Sequence, residues 1–176
     1  QRQMCIRDRI VGGGVVGCET AHWLANEYGK NVTVLEMLPH FMMGVCTANR
    51  GHLLHYLEKS GVRLYNCTKV KALAKDGVYV EQNQSQTVPD PYNTWQPLLP
   101  PNIPNPMEKA IKEEIVEKKI PADLIVLAMG GKADETFFFE AGEEHLAKEI
   151  YNIGDSSRAG RVLEAVRGAY HLAVRI

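Results

Sequence analysis

Residues 10–36 constrain the possible fold more than any other stretch. An apolar Ile10-Val11 leads into glycines spaced G-x-G-x-x-G at Gly12, Gly14 and Gly17. Val15, Cys18, Ala21, Leu24, Ala25 and Tyr28 then recur at helical spacing, and Gly29 stands where a helix-ending glycine belongs. Residues 31–36 form a β-branched run closed by Glu36. Strand, glycine turn, helix, strand and acid follow one another as in a dinucleotide-binding βαβ unit. A pyrophosphate needs donors close by, and the first turn of a helix supplies unpaired N–H groups and the positive end of the helix dipole. Gly12 allows the tight turn, Gly14 leaves room for phosphates, and Gly17 lets helix and strand approach. Glu36 lies 19 residues beyond Gly17, where a carboxylate accepts hydrogen bonds from the adenosine ribose and repels a 2′-phosphate. Met37, Leu38 and Pro39 bring no arginine to reverse that preference, so NAD(H) is expected over NADP(H). A glycine-rich turn that binds nothing is the alternative.

The rest of the chain extends this unit. Residues 38–49 read as a loop. Residues 50–59, with Leu53, Leu54 and Leu57, read as a helix closed by Gly61, and 62–65 as a third strand. That βαβαβ order implies parallel strands with right-handed crossovers. Residues 68–73 and 77–82 read as short strands around an Asp76–Gly77 turn. Residues 83–105 hold most of the prolines and read as an exposed excursion. Residues 107–120 favour an exposed helix, with a strand over 115–120 as the alternative. Residues 122–129 read as a buried strand before Gly130–Gly131, and 149–153 as another before Gly154–Asp155. Residues 161–176 carry Leu163, Val166, Tyr170 and Val174 at helical spacing. The expected fold is α/β: a Rossmann-like parallel sheet flanked by helices, with a small antiparallel β insert and a partial second domain at the C-terminus.

Composition narrows the function classes. A net charge of −1 gives no general attraction for nucleic acid. No apolar run approaches the roughly 20 residues that span a bilayer. Cys5, Cys18, Cys46 and Cys67 show no C-x-x-C spacing, so no metal or dithiol centre is signalled, and the usage suits a reducing cytoplasm. His52 and His55 stand i, i+3 on the second helix without a third ligand, and read as a surface pair. Residues 1–9 carry three arginines and an aspartate where a buried first strand should be apolar, which suggests a non-native or truncated leader.

The run Ile-Val-Gly-Gly-Gly-Val-Val-Gly-Cys-Glu-Thr-Ala from Ile10 resembles the NADH-domain fingerprint of flavoproteins with two dinucleotide-binding domains. It is most similar to the NADH:flavin oxidoreductases of the 2-enoate reductase, 2,4-dienoyl-CoA reductase and trimethylamine dehydrogenase group, within the pyridine nucleotide-disulfide oxidoreductase superfamily. Ala-Asp-Leu-Ile-Val-Leu-Ala-Met-Gly-Gly from Ala122 resembles the stretch that closes such an NADH domain. Ile-Tyr-Asn-Ile-Gly-Asp-Ser-Ser-Arg-Ala-Gly-Arg from Ile150 resembles the second FAD motif. The resemblance implies an NAD(H)-binding domain over 10–148 and an FAD-domain segment over 149–176. It implies that Gly12, Gly13, Gly14, Val15, Val16 and Gly17 face the NADH pyrophosphate, and that Glu36 and Met37 border the adenosine ribose. Val70 would lie near the adenine, Met129 and Gly130 along the dinucleotide cleft, and Asp155 at the flavin's ribityl chain. Glu19 would lie near the nicotinamide; a solvated first-turn carboxylate is its plain alternative. A full member also carries an FAD glycine motif and an FMN-binding (β/α)8 barrel with an iron–sulfur cluster, neither of which is in this sequence.

The implied chemistry is delivery of hydride from NADH to FAD, then reduction of an activated alkene such as an enoate or enoyl thioester. The cofactors do that chemistry and the protein positions them, so no catalytic acid, base or nucleophile is expected. A disulfide reductase or NADH oxidase of the same superfamily, and an isolated non-catalytic NADH-binding module, are the alternatives.

Overall fold

A computed structural model describes residues 7–95, 103, 105–106 and 109–176. The chain divides into two compact units, Gln1–Met129 and Gly130–Ile176. This division falls before the 148/149 boundary expected from the sequence.

In chain order the first unit runs β1 (Asp8–Val11), α1 (Val15–Tyr28), β2 (Val32–Leu35), α2 (Thr47–Lys59), β3 (Arg63–Tyr65), β4 (Thr68–Ala74), β5 (Gly77–Asn83), β6 (Ile115–Pro121) and β7 (Leu124–Leu127). Four strands form a parallel sheet in the order β3-β2-β1-β7, and β4-β5-β6 form an antiparallel sheet. Central β1 is buried along its whole length and begins at Asp8, two residues before the apolar pair that marked it in the sequence. Alternation along the strands divides the core. Ile10, Val32 and Val34 join Cys18, Ala21, Phe41, Leu54 and Leu57 between the sheet and the helices α1 and α2. Leu35 joins Val78, Val80 and Ile120 in a second cluster with the antiparallel sheet.

The helix ends follow local signals. Gly29 at φ 59° ends α1, and its N–H donates to the Leu24 carbonyl. After α2, the N–H groups of Gly61 and Val62 donate to the carbonyls of Glu58 and Leu57, a Schellman arrangement with Gly61 at φ 70°.

Several expectations need correction. The helix favoured over 107–120 does not form and the alternative holds: strand β6 pairs with β5 from Ile115 to Pro121, and residues 107–108 lie outside the described ones. Tertiary pairing overrides the helix-like charge pattern. The β4–β5 loop is Lys75–Asp76, while Gly77 opens β5, where a Cβ would lie 2.5 Å from the Ile120 carbonyl oxygen. That glycine serves the close approach of β6, not the turn. The excursion beginning at residue 83 is partly packed down as far as Tyr92, and 93–95 are exposed as expected. The Tyr92 hydroxyl donates to the Val62 carbonyl at 2.6 Å and accepts the Leu64 N–H at 3.2 Å. It thereby covers part of the open edge of β3. Asn66 donates to the carbonyls of Pro39 and Pro89.

The second unit contains α3 (Thr136–Glu143), a 3-10 turn (Gly154–Ser156) and α4 (Val162–Ala173). Residues 149–153, expected as a strand, do not form one. Among the described residues of this unit there is no strand for them to pair with.

Candidate dinucleotide site

The glycine turn joins β1 to α1, and each glycine has a separate reason to lack a side chain. Gly12 has φ 109°, and a Cβ there would run into the Ala128 carbonyl. A Cβ on Gly17 would run into the Gly12 carbonyl. Gly14 is different: it is the N-cap of α1, and a Cβ there would meet nothing within 4 Å. The α1 N-terminus has no side-chain cap, so its first-turn N–H groups, from Val15 onward, face a space left open. Uncapped first-turn donors beside a glycine without neighbours are what binding of a pyrophosphate requires.

Glu36 directly follows β2 and grips the same turn. Its Oε2 accepts the Gly13 N–H at 2.6 Å, and its Oε1 accepts the Leu38 N–H at 2.8 Å. Each carboxylate oxygen keeps acceptor capacity for a ribose hydroxyl. Met37 and Val16 are exposed beside this turn in sequence. Glu19 is exposed on α1, but the first turn of that helix holds no acidic residue; Glu19 lies just beyond it, where the dipole has weakened. Val70 packs with the second core cluster beside a β-bulge in β4. Met129 is exposed two residues beyond β7, and Gly130 follows at φ 84°. In the second unit, Asp155 lies in the exposed 3-10 turn and accepts the Gly160 N–H at 3.2 Å. The next helix, α4, has its own capping box between Arg161 and Glu164.

The neighbourhood contains two features that the motif did not reveal. Phe41 is fully buried, and a Cβ on Gly13 would run into its ring. The N–H of Met42 donates to the Gly13 carbonyl at 2.8 Å. A glycine at the middle position, Gly13, was the available hint that something approaches from outside. Cys18, beneath the turn, is buried; desolvation, with Glu36 and Glu19 adding repulsion, pushes its thiol up to about 12. It therefore stays protonated and is unsuited to thiolate chemistry near neutral pH. Among the described residues no group of three or more His, Cys, Asp or Glu side chains is placed to hold a metal ion. His52, His55 and His22 instead make edge contacts with the Tyr56 ring.

This arrangement defines a Rossmann-type dinucleotide-binding domain. Residues 6–159 match the family model described as pyridine nucleotide-disulphide oxidoreductase, and the chain belongs to that family of FAD- and NAD(P)-binding oxidoreductases. The NADH oxidase of Thermoanaerobacter brockii is 26% identical over 167 residues, which are 95% of this chain and 21% of that protein. The cinnamate reductase of Clostridium sporogenes is 23% identical over 170 residues, 95% of this chain and 20% of that protein. A solved structure of 2-naphthoyl-CoA reductase has the same fold, with a TM-score of 0.69 at 24% identity over 99% of this chain and 22% of that one. The chain thus spans about a fifth of the length of these relatives. No helix among the described residues is long and apolar enough to cross a membrane.

Proposed function

We propose that this chain is the NADH-binding part of a flavin-dependent oxidoreductase that reduces an activated alkene, of enoate or enoyl thioester type. When bound, NADH supplies a hydride that FAD accepts. The observation that carries the NADH reading is the Glu36 carboxylate on the Gly13 N–H, next to the open Gly14. Glu36 would take the ribose hydroxyls, with Met37 bordering them. Gly12 to Gly17 would take the pyrophosphate, Val70 would lie by the adenine, and Glu19 near the nicotinamide. Met129 and Gly130 follow the C-terminal end of β7, the edge of an open α/β sheet where ligands bind. Asp155 is assigned to the ribityl chain of FAD in the whole protein, where an FMN barrel with its iron–sulfur cluster would complete the electron path. The names of the cinnamate and 2-naphthoyl-CoA reductases support an alkene-type acceptor. A cytoplasmic setting agrees with the scattered cysteines.

A second reading, an NADH oxidase, is favoured by the name of the T. brockii relative. The sequence encoded next to this stretch separates the two. A barrel with clustered cysteines supports alkene reduction, and a C-x-x-x-x-C in an adjoining flavin domain overturns it.

The cofactor preference is tested by calorimetry on the chain itself. A 2′-phosphate brought near the Glu36 carboxylate costs on the order of 1–3 kcal/mol after screening, so NADH should bind about 10- to 100-fold more tightly than NADPH. Glu36→Arg should narrow or reverse that order. Equal binding of the two by the unmodified chain would refute the role given to Glu36.

A further inference from the structure

Arg50 lies in the first turn of α2 and is buried, with only 3% of its surface exposed. Its hydrogen bonds all run to main-chain carbonyls. Nε donates to Phe41 at 2.9 Å, and Nη1 donates to Asn93 at 3.1 Å and Thr94 at 3.3 Å. Burial pulls its pKa down, yet an arginine remains charged. Burying that charge opposes folding, and what it holds in return is the segment lying on the glycine turn.

Phe41 fills the space outside Gly13, and Met42 adopts φ 53°, a conformation that a long side chain rarely takes. In that conformation its N–H reaches the Gly13 carbonyl. The Gly13 carbonyl belongs to the same peptide plane as the Gly14 N–H, and in a trans peptide the two point in opposite directions. Holding the carbonyl toward Met42 therefore turns the Gly14 N–H the other way. Glu36 meanwhile holds the Gly13 N–H, so both main-chain groups of Gly13 are fixed.

We propose that Arg50 is a positioning residue of the dinucleotide site. It locks Phe41 and Met42 against Gly13, fixes the Gly13–Gly14 peptide for a pyrophosphate, and links the stretch around Asn93 and Thr94 to nucleotide affinity. The proposal rests on the NADH reading above.

The test is binding of NADH, ADP-ribose and adenosine to the full chain and to Arg50→Met, with circular dichroism to check the fold. Loss of a preorganised donor should weaken NADH and ADP-ribose by about tenfold and leave adenosine, which has no phosphate, within about twofold. Hydrogen exchange at the Met42 amide should quicken while that of the β2 amides does not change. Arg50→Lys retains an amine that can reach the Phe41 carbonyl; its loss should be intermediate, and it carries the test if Arg50→Met does not fold. A folded variant with unchanged NADH affinity overturns the proposal, as does an equal loss for adenosine and ADP-ribose, which marks a merely structural role. Failure of the unmodified chain to bind NADH overturns this proposal and the NADH reading together.

Discussion

Asp8→Val should stabilise the first unit. Asp8 opens the central strand, fully buried, in register with Val32 on one side and Leu124 on the other. Neither of its carboxylate oxygens has a hydrogen-bond partner. Burial raises its pKa, which outweighs the opposing attraction of Lys30 and Arg9, and Asp123 adds repulsion. A buried polar group without partners costs about 1–3 kcal/mol on mutational scales, and a well-buried valine contributes about 1.5–3 kcal/mol. Allowing for imperfect packing of the new side chain, the expected gain at pH 7 is about 2–4 kcal/mol. With a urea slope of about 2 kcal/mol per molar, the unfolding midpoint should rise by about 1–2 M.

The pH dependence separates this cause from a generic gain in strand propensity. The Asp8 pKa is higher in the folded chain than its ordinary 3.8, so its contribution is most favourable below 3.8, where both states are protonated. As pH rises from there through the folded value, the unfolded chain releases its proton first. Stability then falls by up to about 1.4 kcal/mol per pH unit. The advantage of Asp8→Val should therefore be smaller at pH 3, where the valine burial and the unpartnered neutral acid still count, than at pH 7, where the cost of the buried charge adds to them. Equal advantages at the two pH values, or an unmoved midpoint at pH 7, would refute the reasoning.

Two other stability predictions follow from single groups. The Cys18 thiol, raised to about 12 from an ordinary 9.0, contributes stability that is present below pH 9 and lost between pH 9 and 12. Over that window the unmodified chain should lose up to about 1.4 kcal/mol more per pH unit than Cys18→Ala; parallel denaturation profiles would show that Cys18 is not the group responsible. Tyr92→Phe keeps the ring but leaves the Val62 carbonyl and the Leu64 N–H on the β3 edge without their phenol. It should cost about 1–2 kcal/mol in urea unfolding, and a change below about 0.5 kcal/mol would mean that water replaces the hydroxyl.

What was legible in the sequence was what is decided locally. Gly12, Gly17, Gly29 and Gly61 are each required by the backbone conformation or close contacts of one turn, so their spacing carried the βαβ unit and its helix ends, while Gly14 has an extended conformation and open space around it. Glu36 was legible because strand length fixes where an acid after β2 must stand. The hold on Gly13 was not legible, because Phe41 approaches from across a loop and Arg50 reaches carbonyls 43 and 44 residues further on. No periodicity encodes such a contact. The charged start of β1 was not legible for a related reason: Asp8 and Arg9 are residue types that a buried strand rarely holds, and only pairing on both sides draws them inside.

The helix favoured over 107–120, where the alternative strand forms, and the strand expected over 149–153, which does not form, went wrong for one cause in opposite directions. Residues 115–121, with Glu117, Lys118 and Lys119 among them, look poor for a strand, yet β5 offers a partner in register along the whole segment. The ladder satisfies the backbone donors and acceptors on the side that faces β5, the other side being the sheet's edge, while the charged side chains lie at the surface, Lys119 paired with Asp76 at 2.5 Å. Residues 149–153 are more apolar and look better, but the described part of their unit provides no strand. Tyr151 and Ile153 remain exposed, and Asn152 spends its side chain on Glu135 and Ser156. A glycine-ended helix is the property of one segment. A strand is the property of two, and pattern reading within one segment tells only which face it would bury if the second were there.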